Sequence, residues 1–384
     1  MRVLLAHPGA ELYGSDRVLL ETAIALTEAG AEIVVALPSR GRLTDELRAH
    51  GCSVSEVPTL VVRRSLLTPR SLITLPVRMA LATTTALRIL RQERPDVVFV
   101  NTVTLPVWLL AARLARVPTV VHVHEAERDA RAIVRRLLYA PARMASTVVA
   151  NSEFTRSVIA LTDRTTAARA VVIHNGVAGP QTMTEPREDA TSGARLIYVG
   201  RLSPRKGSDL VIRATAELRQ RGINVRTDMV GDVFEGYEWY RDELTTLAHD
   251  LELADVVTFT GFQTDVWGAL ADADIAIVPS RLEESFGNTA VEALLAGRAV
   301  IVSDRPGLTE AVSGSSAQVV PSDDAAAIAA SVERLLRDWA TARTHAIADA
   351  RRASEVYAPA RYRARIADVV VRAAHRGMAE PPRL

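Results

Sequence analysis

Short apolar runs alternate along this chain with stretches whose apolar residues recur every three to four positions. RVLLA (2–6) is a run of strand length, followed by a loop punctuated by Gly9 and Gly14. Val18, Leu19, Ala23, Ile24 and Leu26 then repeat at helical spacing. Ser15 stands at the N-cap position, Asp16 where the helix dipole favours an acid, and Gly30 where the helix should stop. EIVVAL (32–37) is the next strand. A strand–helix–strand unit of this kind pairs its strands in parallel. Buried-strand runs follow at DVVFVNT (96–102), TVVHVH (119–124), STVVANS (146–152) and AVVIHNG (170–176).

The pattern breaks once. AGPQTMTEPREDATSG (178–193) is polar, with two prolines and two glycines, and predicts an interdomain linker at 181–194. Strands restart at RLIYVG (195–200), RTDMVGD (226–232), VVTFTGF (256–262), ADIAIVPS (273–280), AVIVSD (299–304) and AQVVP (317–321), separated by helical patterns such as SDLVIRATAELRQRG (208–222). The expected architecture is α/β, with two doubly wound Rossmann-like domains over 1–180 and 195–353, then helices over 354–375 and a disordered tail at 376–384. Ligands of such folds bind at the carboxyl ends of the strands, so a cleft between the two domains is the expected active site.

Composition narrows the class. A length of 384 residues suits two domains, and 48% hydrophobic with 24% charged residues suits a soluble enzyme with a sizeable core. The single cysteine, Cys52, excludes an intramolecular disulfide and a Cys-based metal site. The start, MRVLLAHPGAELYGSD, does not read as a signal peptide. SLITLPVRMALATTTALRIL (71–90) is the nearest approach to a membrane span, but Arg78, a proline and three threonines count against it. A net charge of +1 gives no sign of a nucleic-acid partner, and the expected location is cytoplasmic. Residues 51–150 nevertheless hold 14 arginines against 6 acids.

One residue stands out. Of 46 basic residues only Lys206 is a lysine, which leaves 46 − 1 = 45 arginines. It lies in GRLSPRKGSDL (200–210), after a strand and just before a helix that starts at Ser208. A helix N-terminus presents unpaired N–H groups to anions. Lysine is a compact charge on a flexible stem, suited to a phosphate in a tight loop, and Arg201 flanks the same spot. Downstream, PSRLEESFGNTAVEALLAG (279–297) places Glu284 in a loop and Glu292 near the start of a helix, with seven residues between them. Ionised carboxylates accept hydrogen bonds from sugar and ribose diols. Taken singly, each acid reads equally well as a solvated surface residue.

Together these stretches resemble the retaining glycosyltransferases of family 4, which have the GT-B fold. The resemblance rests on GRLSPRKG (200–207), VGDVFEG (230–236), VTFTGF (257–262) and EESFGNTAVEALLAGRAVIVSD (283–304), and more loosely on LYGSDRVL (12–19), HVHE (122–125) and VIHNGV (172–177). It spans nearly the whole chain in the expected order. It implies that Arg201 and Lys206 hold the diphosphate of a nucleotide-sugar donor, that Glu292 binds the ribose and that Glu284 contacts the donor sugar. Gly14 and Ser15 would approach the donor in the first loop. Gly200, Gly231, Phe262, Phe286, Gly287 and Asn288 would complete the donor site, with Phe262 against the base. His124 would sit by the donor sugar near the reacting centre. The terminal helices would cross back to the first domain.

Two departures matter. The first loop reads YGSD, so Gly14 lacks a glycine partner and Ser15 or Asp16 is available to touch the donor. Glu283 competes with Glu284, although the spacing to Glu292 favours Glu284. Alternation in HVH puts His122 and His124 on one side of the sheet, where either could be a satisfied core residue. The implied reaction moves a sugar from a nucleoside diphosphate to an acceptor hydroxyl with retention, in envelope glycan or exopolysaccharide assembly. No cluster of acids and histidines suggests a metal, and no cofactor is expected. An epimerase would want further acid–base groups, and a non-catalytic binding scaffold would not need Arg201, Lys206, Glu284 and Glu292 together.

The acceptor, a sugar, glycan or lipid-linked intermediate, leads to one more segment. ERDARAIVRRLLYAPARMAS (127–146) carries Arg128, Arg131, Arg135, Arg136 and Arg143, with Ile133, Val134, Leu137 and Leu138 on another helical face. It resembles an interfacial helix on an anionic membrane surface, at the inner face of the cell membrane. An ordinary surface helix packing its apolar face inward fits the same pattern.

Overall fold

Burial on both faces explains why the central strands of this chain, such as β1 (Arg2–Ala6), are continuous apolar runs. The computed structural model describes residues 1–12, 14–62 and 69–379 and divides the chain into two units, Met1–Gly176 with Pro359–Leu384, and Val177–Ala358.

The first unit contains β1 (Arg2–Ala6), α1 (Gly14–Glu28), β2 (Glu32–Leu37), α2 (Arg42–Ala49), β3 (Ser53–Glu56), α3 (Pro69–Glu93), β4 (Val97–Val100), α4 (Pro106–Ala115), β5 (Thr119–Val123), α5 (Ala132–Tyr139), β6 (Thr147–Ala150), α6 (Glu153–Ala160), α7 (Arg164–Ala168) and β7 (Val171–Val172). Its sheet runs β3-β2-β1-β4-β5-β6-β7 with every pairing parallel. Val18, Leu19, Leu43 and Leu47 of α1 and α2 cover one face. Ala86, Leu90, Trp108, Leu138 and Val158, from α3 to α6, cover the other. β3 was not foreseen, because SVSE is a polar, half-exposed edge strand with no apolar run. The strand expected over 170–176 shortens to two residues.

The second unit contains β8 (Ala194–Val199), α8 (Ser208–Gln220), β9 (Val225–Val230), α9 (Glu238–Asp250), β10 (Val257–Gly261), α10 (Trp267–Asp272), β11 (Ile275–Val278), α11 (Asn288–Leu295), β12 (Ala299–Ser303), α12 (Pro306–Ala311), β13 (Gln318–Val320), α13 (Ala325–Arg337) and α14 (Trp339–Val356). Its parallel sheet runs β10-β9-β8-β11-β12-β13. Strand order reverses between β1 and β4 in one sheet and between β8 and β11 in the other. These are the switch points at which such sheets take ligands. The two units are those of the GT-B fold.

The polar stretch expected as a linker belongs to the second unit. Arg187 pairs with Asp274, Trp339 Nε1 donates to the Arg187 carbonyl at 2.9 Å, and Ala190 is fully buried. Proline and glycine mark irregular backbone, and irregular backbone can still be pinned by its own side chains.

The C-terminal helices also differ from expectation. Residues 354–356 close α14, and one helix, α15 (Pro359–Ala379), packs in the first unit. There Tyr362, Ile366 and Val370 join the core beneath α1, and the Tyr362 hydroxyl lies 2.6 Å from Thr22 Oγ1. Residues 376–379 of the expected disordered tail are thus helical, and 380–384 lie outside the described residues.

Helix α3 corrects the reading of 71–90. Among the described residues, Ile73–Glu93 is one helix long and apolar enough to cross a membrane, at a mean hydropathy of 1.2. Its second half is not available as a span, because Thr83, Ala86 and Leu90 are buried in the first unit.

Candidate active site

In the second unit, the candidate residues gather at the carboxyl ends of β8, β9 and β11. β8 runs into Gly200, with φ +149°, and β9 into Gly231, with φ +139°. A Cβ at 231 would overlap the Gly200 carbonyl oxygen, so both strand ends require glycine. Arg201 follows, exposed, with its guanidinium carbon 3.3 Å from the centre of the Phe234 ring. That is a cation–π contact.

Lys206 ends a single 3-10 turn, Pro204–Lys206. Gly207, with φ +68°, then turns the chain into α8, where any Cβ would meet the Pro279 carbonyl oxygen at the end of β11. This close approach brings Lys206 to the second loop. Its Nζ donates to Glu284 Oε1 at 2.7 Å, and Ser280 Oγ donates to the same oxygen at 2.8 Å. The Glu284 side chain is 14% exposed and the Lys206 side chain 32%. Burial pushes the Glu284 carboxyl up, but the Lys206 charge and hydrogen bond, with Arg205 and Ser280, outweigh it and hold the pKa below the ordinary value. Glu284 is therefore an anion, and Oε2 has no protein partner among the described residues.

Residues outside the sequence reading brace the two loops. Arg281 Nη2 donates to Asp209 Oδ2 at 2.8 Å, and the Arg281 amide donates to the Arg205 carbonyl at 2.9 Å. Arg205 reaches the carbonyl of Glu283, whereas Glu284 meets Lys206 through its side chain. Charge alternation in a loop gives no sequence signal for such bracing.

The other second-unit candidates are placed less uniformly. Gly287, with φ +112°, caps α11, which begins at Asn288. Glu292 lies one turn into that helix, half-buried. Phe262 follows β10 and is 47% exposed. Phe286 corrects the sequence reading. Its ring is 1% exposed and packs edge-on to Tyr357 at 5.6 Å, so it is a core residue and only its backbone is left for a ligand.

In the first unit, a polar chain crosses the switch point. His124 Nε2 lies 2.9 Å from Asn101 Oδ1, and Asn101 Nδ2 lies 3.1 Å from both His7 Nδ1 and the Ser15 carbonyl. His7 Nε2 lies 2.7 Å from Asp16 Oδ1. The Ser15 carbonyl can only accept, which fixes the Asn101 amide and hence every proton in the chain. His124 donates from Nε2, Asn101 donates to His7 Nδ1, and His7 donates to Asp16. Asp16 also accepts from the Leu12 amide at 2.7 Å, which ties down the loop before α1.

This ordering leaves Nδ1 as the acceptor of His124. Burial, then the His7 charge, against a smaller opposing pull from Asp16, lower its pKa to about 3. The ring is neutral, and Nδ1 is free to act as an acceptor without taking a proton. His122 is fully buried, with its ring 4.0 Å from that of His124 and neither nitrogen hydrogen-bonded among the described residues, a core residue held neutral first by burial and then by His124. Glu125 accepts from Thr102 and from the His124 amide, and burial raises its carboxyl. Gly14 opens α1, so Ser15 lies within the first turn and does not cap it. His7, Asn101 and Thr102 escaped the sequence reading because isolated polar residues after apolar runs carry no spacing. Among the described residues, no group of three or more His, Cys, Asp and Glu is placed to hold a metal ion.

Comparison with known proteins bears on the family and the fold. Residues 13–178 match the family described as Glycosyltransferase Family 4, and residues 183–353 match Glycosyl transferases group 1. Lipopolysaccharide 1,2-N-acetylglucosaminetransferase of Salmonella typhimurium is 30% identical over 161 residues, 39% of this chain and 42% of that protein. D-inositol 3-phosphate glycosyltransferase of Gordonia bronchialis is 34% identical over 180 residues, 44% of this chain and 36% of that protein. The matched stretch thus spans less than half the length of these relatives. The crystal structure of Anabaena Alr3699/HepE in complex with UDP and glucose superposes with a TM-score of 0.80, at 23% identity, covering 97% of this chain and 99% of that one. Sucrose-phosphate synthase from Thermosynechococcus elongatus gives 0.74 at 20% identity, covering 97% and 98%.

Proposed function

This chain belongs to the glycosyltransferases of family 4, of the GT-B fold, and from that premise we propose that it transfers a sugar from a nucleoside diphosphate to an acceptor hydroxyl with retention. The observation that carries the proposal is the Lys206–Glu284 pair at the N-terminus of α8.

The bond from the anomeric carbon to the β-phosphate breaks, and its electron pair leaves on the diphosphate. Arg201, Lys206 and the first amides of α8 meet that charge where it develops. Lysine has three N–H donors, so Lys206 can keep Glu284 and still hold phosphate oxygens. Glu284 Oε2 accepts from a donor-sugar hydroxyl, and Glu292 from the ribose. His124, by the family pattern, receives a sugar hydroxyl at Nδ1. The acceptor oxygen forms the new bond on the face the diphosphate leaves, and its proton passes to the departing phosphate. No side-chain nucleophile is assigned. Because side chains supply the positive charge, turnover is expected to be unchanged by a chelator. The lipopolysaccharide relative favours an envelope glycan or exopolysaccharide intermediate as acceptor.

A thermal-shift panel of UDP, GDP, ADP and dTDP, on the wild type and Lys206→Ala, tests the donor site. A ligand bound only by the folded state at about 100 times its Kd adds about 2.7 kcal/mol. One nucleotide should raise the melting temperature of the wild type but not of the variant. No shift from any of the four at millimolar concentration would sink the proposal.

A further inference from the structure

Helix α3 is longer than the sheet it covers. Its 25 residues rise about 37 Å, whereas the four residues of β4 span roughly 13 Å. Crossover helices run antiparallel to the strands, so the first turns of α3 extend past the carboxyl end of the first unit's sheet. None of the residues from Ile73 to Leu81 is buried. Ile73, Val77 and Leu81 are 79%, 63% and 63% exposed and form one outward stripe. At helical spacing Arg88 and Arg91, both exposed, fall on the same line. The inward line is Thr83, Ala86 and Leu90.

Helix α5 repeats the arrangement at the same end and in the same layer. Ile133 and Leu137, one turn apart, are 64% and 51% exposed, with exposed Arg136 beside them. α4 packs against α3 and against the turn that follows α5. Together α3, α4 and α5 carry seven arginines (70, 78, 88, 91, 113, 135 and 136) against one acid, Glu93, in a chain that balances 46 basic residues with 45 acidic ones.

We propose that the outer faces of α3 and α5 dock the first unit on an anionic phospholipid bilayer. Ile73, Val77, Leu81, Ile133 and Leu137 enter the boundary between headgroups and acyl chains, while Arg78, Arg88, Arg91 and Arg136 meet lipid phosphates. Charge sign selects this occupant: apolar stripes rimmed by arginine match the anionic cytoplasmic leaflet. Segment 127–146 had suggested such a surface, and α3 supplies its larger half. Docked this way, the first turns of α3, which project past the carboxyl edge that carries His124 and Glu125, hold that edge beside the lipid. Resting on the transferase reading, that orientation selects a lipid-carried acceptor.

The test is flotation of the full chain with vesicles of phosphatidylglycerol and phosphatidylcholine, against phosphatidylcholine alone. It uses neither donor nor acceptor, so its outcome is separate from that of the transferase reading. The wild type should float with the acidic vesicles and be released by high salt. Combining Ile73→Ser, Val77→Ser and Leu81→Ser should weaken binding at least about tenfold. Arg78→Gln with Arg88→Gln should flatten the salt dependence. Leu161→Ser, at an exposed leucine on the turn after α6, should change nothing. Failure of the wild type to float, or equal flotation of the triple and double variants, overturns the proposal. So does a wild-type dimer that the triple variant dissociates without any vesicle binding, since a second copy would then be the occupant.

Discussion

Lys206 and Glu284 stand 78 positions apart in sequence and 2.7 Å apart in space. The pair forms because Gly207 lets the β8–α8 turn lie against the backbone of Pro279. An ammonium and a carboxylate thus share one spot, each with hydrogen-bonding capacity to spare.

Removing either partner should cost activity far more than stability. Lys206 is about a third exposed, so Glu284→Gln should change the unfolding free energy by less than about 1 kcal/mol. Turnover of the donor should fall at least about a hundredfold in Glu284→Gln and in Lys206→Ala. Lys206→Arg should not restore it, because a planar fork cannot replace a compact ammonium in this turn. Recovery by arginine would show that charge alone suffices.

Acid should weaken the fold through His124. Its folded pKa is about 3, whereas an unfolded histidine titrates near 6.5. Between those values the unfolded chain binds the extra proton. The stabilisation is therefore complete above about pH 6.5 and is lost as pH falls toward 3, by about 1.4 kcal/mol per unit. Glu125, with its raised carboxyl, acts in the opposite sense, so the comparison with His124→Gln isolates the histidine. Urea unfolding of that variant should be less steep in pH over this window; identical slopes would refute the assignment.

Asn101 is the joint of the first-unit chain. Asn101→Leu removes two donated bonds and the acceptor of His124, one buried and two partly buried, and should cost about 2–4 kcal/mol. A loss below about 0.5 kcal/mol in urea unfolding would mean that the chain of protons does not order the site.

Gly231→Ala should destabilise by at least about 2 kcal/mol, since it strains a positive φ and drives a methyl into the Gly200 carbonyl. Any folded fraction should bind nucleoside diphosphate more weakly, because the shift moves Arg201. Calorimetric titration on the refolded variant reads this directly; unchanged affinity would separate Arg201 from the phosphate.

Much of the second-unit site was legible in sequence, for a physical reason. A loop between a buried strand and a helix has a short span, so Gly200, Arg201, Lys206 and Gly207 must act within a few ångströms of each other. The place of the Phe286 ring was not legible, because an aromatic beside candidate site residues looks the same in sequence whether its ring faces ligand or core. The first-unit chain of His7, Asn101 and Asp16 was not legible, because its members come from the ends of β1 and β4 and the first turn of α1 and share no spacing.

Periodicity alone determined that this chain makes two parallel α/β units, since hydrophobic runs of strand length alternating with helical stripes bury themselves in few ways. Turn chemistry alone determined that Lys206 stands at a helix start. Tertiary structure decided which polar groups meet. It paired Lys206 with Glu284, set the proton order from His124 to Asp16, fastened residues 181–193 to the second unit and left the stripe of α3 uncovered. Such choices depend on separations of a few ångströms between residues far apart in the chain, which no local pattern of apolar and polar positions encodes.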